Sequence, residues 1–326
     1  MDRHHLIAAL IALGIGLSSC VKDEIPIVYE PEAGIAGSFT SQVEMGPDYR
    51  YRLYYDIETD SVVAFHQKRD WDLAFQSEGN AVRLNSSKYM SVYRSSSYDI
   101  GNYTGFDGEG PLFDTSDGDL QGTVILADEM DRVYVIDVGY DADGTAQGFV
   151  KFSLAEVTLS HYVIRFGALG STGYSEAEIP RDASVNNVMF SFQNGLQFLE
   201  PPKDSWDLLF THYTHFFELY FGEESVHYLV SGALLNPNGA MAARVEGSTF
   251  ETFDVSDAGE VPLSNESDVI GYDWKLIDLD AGVYEVLDNL YVIQTVEGNL
   301  HKLSFVGFYD DLGQQGAPIF RAAQLF

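Results

Sequence analysis

Six of the chain's eight histidines lie beyond the first twenty residues: His66, His161, His212, His215, His227 and His301. Three of them gather in Phe210-Thr211-His212-Tyr213-Thr214-His215 and Val226-His227-Tyr228, among aromatic side chains. A neutral imidazole nitrogen can ligate a metal or haem iron, so this cluster is the sequence's main candidate for coordination chemistry. On a regular strand side chains alternate, which points His212 and His215 to opposite faces. They would share a ligand only across a bulge or turn, and His227 is the residue to stand opposite either one. The plainer role, hydrogen-bonded or surface strand histidines, competes at each position.

Other chemistry is thinly represented. Asp114-Thr115-Ser116-Asp117-Gly118-Asp119 and Asp141-Ala142-Asp143-Gly144 crowd oxygen atoms beside a glycine, as calcium prefers, but neither completes an EF-hand loop. Turn chemistry is the favoured reading of both, with a bound calcium ion as the alternative. There is no Gly-x-Ser-x-Gly, His-Glu-x-x-His or P-loop, and no enzyme is expected. The balance of 50 acidic against 18 basic residues, a net charge of −32, excludes phosphate backbones as partners.

The N-terminus reads as an address. Leu6 to Leu17 is an apolar run too short to span a bilayer, and Leu17-Ser18-Ser19-Cys20 has the pattern of a lipobox. The expectation is a signal peptide over 1–19, removed to leave Cys20, the only cysteine, as a lipidated anchor. Val21-Lys22-Asp23-Glu24 resembles a lipoprotein export signal, which places the protein on the outer membrane facing the exterior. Residues 20–36, with Pro26, Pro31 and Gly34, form a tether. The membrane, through that lipid, and an outer-membrane receptor or transporter are the expected partners.

The elements that must carry these residues are strands. Period-2 alternation dominates from Gly37 onward, as in Arg132-Val133-Tyr134-Val135-Ile136-Asp137 and His161-Tyr162-Val163-Ile164-Arg165-Phe166. Leu290 to Thr295 and Leu300 to Phe305, joined through Gly298-Asn299, read as a hairpin. Leu154-Ala155-Glu156-Val157 is the one short helix expected, and Asp99 to Gly122 the longest surface loop. Arg69-Asp70-Trp71-Asp72-Leu73-Ala74-Phe75 recurs as Asp204-Ser205-Trp206-Asp207-Leu208-Leu209-Phe210, each preceded by two apolar runs and followed by a strand ending in Asn85 or Asn236. Trp71 and Trp206 are expected to plug a β core rather than stack on a sugar. The prediction is one all-β, antiparallel, sandwich-like body over 37–326, with 37–170 and 180–326 as its sub-units.

Asp70-Trp71-Asp72-Leu73-Ala74-Phe75, Val82-Arg83-Leu84-Asn85, the hairpin ending Leu303-Ser304-Phe305-Val306-Gly307-Phe308-Tyr309-Asp310, and Gly316-Ala317-Pro318-Ile319-Phe320 resemble the HmuY-like family of surface haem-capturing lipoproteins. The resemblance covers residues of roughly 45–150 and 265–326. It implies an all-β fold and haem held by two axial side chains. At the matching positions this chain has Thr145, after Asp143-Gly144, and Leu279, in Trp274-Lys275-Leu276-Ile277-Asp278-Leu279-Asp280, neither a usual iron ligand. Haem binding would then rest on His212 or His215, with His227 opposite. A non-haem accessory lipoprotein and a carbohydrate-binding surface lipoprotein are the rival expectations.

Overall fold

The computed structural model describes residues 37–218, 226–278 and 282–326. The signal peptide, Cys20, the tether and Leu279 lie outside the described residues.

The chain begins with β1 (Ser38–Gln42) and the hairpin β2 (Tyr51–Asp56) and β3 (Ser61–Gln67). The first Trp-Asp-Leu motif leads into β4 (Leu73–Gln76) and β5 (Val82–Leu84). Next come β6 (Ser91–Arg94), β7 (Glu109–Leu112), β8 (Tyr134–Asp137), β9 (Phe149–Val157), β10 (His161–Ala168) and β11 (Ser175–Pro180). A second hairpin, β12 (Asn187–Ser191) and β13 (Gly195–Gln197), precedes the second motif, which leads into β14 (Leu208–Phe217) and β15 (Val226–Leu235). The chain ends with β16 (Met241–Val245), the short helix α1 (Val255–Ala258), β17 (Lys275–Asp278), β18 (Val283–Val286), β19 (Leu290–Gln294), β20 (Leu300–Tyr309) and β21 (Gln315–Gln324).

The all-β, antiparallel expectation holds, as two sandwiches rather than one. The sheet β15-β14-β2-β3 packs on β1-β21-β20-β19-β16, and the sheet β13-β12-β4-β5 packs on β11-β10-β9-β8-β6-β7. Alternation decides which side chains enter each core. Leu53, Tyr55, Leu208 and Phe210 meet Tyr291, Ile293, Leu303 and Phe320 in the first. Leu73, Phe75, Val188 and Phe190 meet Ile136, Phe152, Leu154 and Ile164 in the second. The intervening residues of the two inner sheets turn the other way, Tyr54, Trp206 and Leu209 in one and Trp71, Ala74 and Met189 in the other. Both tryptophans are buried, as core plugs should be.

The repeated units exchange hairpins. β2, which precedes the first motif, pairs with β14 of the second copy, Tyr55 opposite Leu208. β12, which precedes the second motif, pairs with β4 of the first, Phe190 opposite Leu73. Strand pairing therefore crosses the boundary between 37–170 and 180–326. The junction repeats bond for bond. The Asp72 N–H donates to Phe190 O and the Asp207 N–H to Tyr55 O, both at 2.8 Å. Asn85 Nδ2 donates to Lys68 O at 2.7 Å and Trp71 O at 2.8 Å, and Asn236 Nδ2 to Lys203 O at 2.7 Å and Trp206 O at 2.6 Å.

Two local expectations need correcting. Leu154-Ala155-Glu156-Val157 is no helix but the end of β9, with Leu154 opposite Ile164 and Val157 opposite Tyr162. Apolar residues three apart imitate helical spacing; here a bulge between Val163 and Ile164 restores the register and sends Leu154 into the core. The stretch Asp99 to Gly122 is interrupted by β7, the edge strand of the six-stranded sheet, and by a 3₁₀ turn at Leu120–Gly122.

Candidate functional site

β14 and β15 form a long ribbon, paired from Leu208 opposite Leu235 to Phe217 opposite Val226. Its far end holds two of the three clustered histidines. His215 stands opposite Tyr228 and His227 opposite Phe216, so by strand alternation the two rings occupy opposite faces.

His227 lies between two aromatic rings. Phe113 stacks on it with centroids 4.0 Å apart and planes 20° from parallel, and the Phe216 ring is 4.9 Å away. Burial, with His215 nearby, lowers its pKa, so the imidazole is neutral at pH 7, the form that ligates iron. Among the described residues neither ring nitrogen is hydrogen-bonded.

Tyr89 completes this face. Its ring is 5.2 Å from Phe113, and its hydroxyl donates to His227 O at 2.9 Å. Tyr89 sits at φ 61°, the left-handed region that costs a bulky side chain of order 1–3 kcal/mol. The turn Ser86–Lys88 before it is fixed by the buried Lys88–Asp72 ion pair and by Asn85 O δ1 accepting from the Ser87 N–H at 3.1 Å. Tyr140 then docks beside it, its N–H donating to Lys88 O at 3.1 Å. Gly139, at φ 74°, permits that approach, since a Cβ there would come within 1.9 Å of the Lys88 carbonyl oxygen. The Arg69 Nε–H donates to Tyr140 O at 3.1 Å, and Arg69 forms no ion pair among the described residues. The result is a surface of Tyr89, Phe113, Tyr140, Phe216 and His227 with one cation at its side.

His215, on the other face, is within 3.2 Å of Ser116 Oγ and 3.8 Å of Asp268 Oδ2 through Nδ1, with Tyr272 and Phe217 against its ring. His212 lies apart from both. The buried Lys68 ammonium donates to its Nδ1 at 2.9 Å, and its ring stacks on Tyr49 at 4.6 Å. Burial, reinforced by Lys68, takes the His212 pKa down to about 3, and burial lowers that of Lys68 to about 8. His212 thus accepts a bond inside the fold, while half-buried His227 has no partner for its ring nitrogens among the described residues.

Thr145 is exposed, and its N–H donates to Asp141 Oδ1 at 2.8 Å, which makes Asp141 to Thr145 a self-bonded turn. Asp114 likewise accepts from the Leu84 and Val124 N–H groups at 2.7 and 2.9 Å. No group of three or more His, Cys, Asp or Glu residues able to hold a metal ion occurs among the described residues. Sequence reasoning missed Tyr89 and Phe113. Their one signal was the aromatic following Asn85-Ser86-Ser87-Lys88, which gains meaning only once that turn is known to pack on β14.

A family model described as HmuY protein matches residues 48–321. The matched span includes the middle of the chain, with the second Trp-Asp-Leu unit. A comparison with curated proteins gives no match. Among solved structures, the chain is similar to a HmuY-like heme binding protein from Bacteroides vulgatus, at 9% identity over 89% of this chain and 93% of that one, with a TM-score of 0.25. It is similar to apo PinO from Porphyromonas gingivitis at 8% identity over 89% and 97%, with a TM-score of 0.25. A lipoprotein from Bacteroides fragilis matches at 11% identity over 53% and 88%, with a TM-score of 0.24.

Proposed function

We propose, from the premise that this chain belongs to the HmuY family, that it binds haem on the aromatic face around His227. The observation that carries the reading is a neutral imidazole whose nitrogens have no partner among the described residues, held between Phe113 and Phe216 beside Tyr89 and Tyr140. Flat aromatic walls suit a porphyrin plane, and His and Tyr are both known axial residues for haem iron. Arg69 offers a propionate the only cation next to the Tyr140 turn that no carboxylate already pairs among the described residues. The turn ending at Thr145, where the family resemblance puts one ligand, belongs to this same face through Tyr140. Tyr140, 45% exposed, is the side chain that turn presents in place of the missing ligand.

The address fits a capture role. Lipid on Cys20 would hold the domain on the outer membrane, and the signal after it would display the domain outward, where haem could pass to an outer-membrane receptor. Cys20→Ala should release the protein from membranes into the soluble fraction.

Haem titration followed by the Soret and visible bands tests the site. Saturable binding is expected, weakened about tenfold or more in His227→Ala, a loss typical of an orienting or ligating group. His212→Ala should bind haem as the parent does, because its ring faces Lys68 and Tyr49. If His212→Ala abolishes binding and His227→Ala does not, the site is misplaced. If the parent chain takes up no haem, the reading fails altogether.

A further inference from the structure

A cavity of about 310 Å³ lies between the two inner sheets, lined by both Trp-Asp-Leu units. Trp71 and Trp206 line it from opposite copies, with Arg52 and Tyr54 of β2 beside them. The Arg52 guanidinium sits over the Trp71 ring at 5.3 Å and the Tyr54 ring at 5.7 Å, and Tyr54 meets Trp206 edge-on at 5.0 Å. These four side chains make one continuous wall.

That wall is rich in donors that the protein itself does not use. Trp71 Nε1, Trp206 Nε1, Arg52 Nε and the Tyr54 hydroxyl are all buried without a hydrogen-bond partner among the described residues. Tyr54 is 0% exposed, Trp206 3% and Trp71 4%. Buried polar groups are nearly always paired, so four orphans along one cavity wall call for an explanation. Of the three carboxylates that also line the cavity, Glu78 accepts from Lys203, Asp114 from the Leu84 and Val124 N–H groups, and Glu200 supplies no partner either. Its oxygens already accept from the Asn186 and Asn187 backbone and side-chain N–H groups, at 2.8 to 3.3 Å. Nor does the fold require the polar groups. By register, Met189 and Asn187 of β12 occupy the places that Tyr54 and Arg52 hold in β2, so the equivalent frame stands with an apolar residue at the Tyr54 position. Arg52 forms no ion pair among the described residues, in a protein of net charge −32.

We propose that this cavity binds a small carboxylate, its oxygens taken by the two indole N–H groups, Tyr54 and Arg52. Four unpartnered donors along one wall, one of them on a cation, select an oxyanion. The volume lies at the lower end for ligand pockets, which suits a compact organic acid and excludes a porphyrin. A free amino acid and a simple carboxylic acid share this chemistry. They differ at Glu200, which an ammonium group would approach.

The test uses the full chain, with calorimetry and tryptophan fluorescence against L-leucine, 4-methylpentanoate, benzoate, the methyl ester of 4-methylpentanoate, and glucose. Saturable binding of at least one carboxylate is expected, with none for the ester. Arg52→Gln should weaken it about tenfold or more, in the range of a charged hydrogen bond, with partial recovery in Arg52→Lys. Trp71→Phe and Trp206→Phe keep a ring but remove a donor, and each should weaken it about threefold or more. Tighter binding of leucine than of 4-methylpentanoate assigns the amino-acid class; the reverse assigns the simple acid. Thermal melts guard against misfolding, and haem titration of Arg52→Gln should match the parent chain, which separates the two sites. No carboxylate binding, binding of glucose or the ester instead, or affinities untouched in well-folded Arg52→Gln and both Trp→Phe variants would overturn the proposal.

Discussion

Asp72 and Asp207 occupy the same place in two copies of one segment, yet the fold neutralises them differently. Asp72 pairs with the buried Lys88 ammonium and accepts from the Phe192 N–H at 2.7 Å. Asp207 has no such cation. It accepts from the Ile57 N–H at 2.9 Å and from the Val296 N–H, beyond β19, at 2.8 Å. The shared part is backbone geometry: the exchanged hairpin, the Trp, and the Asn that bonds two carbonyls. What diverged is where each carboxylate finds its donors. Each takes one N–H from just past its exchanged strand, Phe192 or Ile57, and only the second donor differs: the turn that presents Tyr89 supplies it in the first copy, Val296 just past β19 in the second. One copy is thus tied to the candidate site and the other to the body of the fold.

The largest test concerns what the copies share. Trp71→Ala and Trp206→Ala should each cost about 3–5 kcal/mol, the range for truncating a buried large aromatic, and the two losses should be similar. Urea unfolding measures both. A loss below about 1 kcal/mol in one of them would show that the repeat is not structurally equivalent after all.

Next comes what only the first copy has. Lys88→Ala leaves the Asp72 carboxylate buried without its cation, and breaking such a pair costs about 3–5 kcal/mol. Lys88→Ala combined with Asp72→Asn should recover part of that, because the stranded charge is gone. The single variant should also weaken haem binding, since Lys88 holds the turn under Tyr89, whereas Trp206→Ala should bind haem normally per folded molecule. Equal effects of the two on binding would dissolve the distinction between the copies.

Much of the fold was legible because alternation and turn chemistry are local. The Leu290–Gln294 and Leu300–Tyr309 hairpin, the strand at His161, and the burial of both tryptophans follow from residues close together in sequence. The hairpin exchange was not legible. Tyr51 to Asp56 and Asn187 to Ser191 have the same period whichever copy they pair with, and the choice is made by side chains more than a hundred residues away, as in Tyr55 opposite Leu208 and Phe190 opposite Leu73. The site was half legible for the same reason. Strand periodicity put His212 and His215 on opposite faces, but nothing local tells that Lys68 takes the Nδ1 of His212 or that Phe113 covers His227.

The smallest effect isolates the second copy. Burial pushes the Asp207 carboxyl up to about 6, against an unfolded value near 3.9. A carboxyl whose folded pKa is raised binds more protons in the native state than in the unfolded one between those values. Its protonation therefore adds stability as pH falls through 6 toward 4, and that gain is absent at pH 7 and above. Asp207→Asn cannot titrate. At pH 7 the variant should lose about 1–2 kcal/mol, because an amide offers one acceptor oxygen to the two N–H groups of Ile57 and Val296. On lowering the pH to about 4.5 the parent should gain a further 1–2 kcal/mol, roughly, over the variant. Taking the difference between the two proteins cancels every other titrating group. A gap that stays constant from pH 7 to 4.5 would mean Asp207 titrates in the fold as it does in the open chain, and that its two backbone donors fully offset its burial.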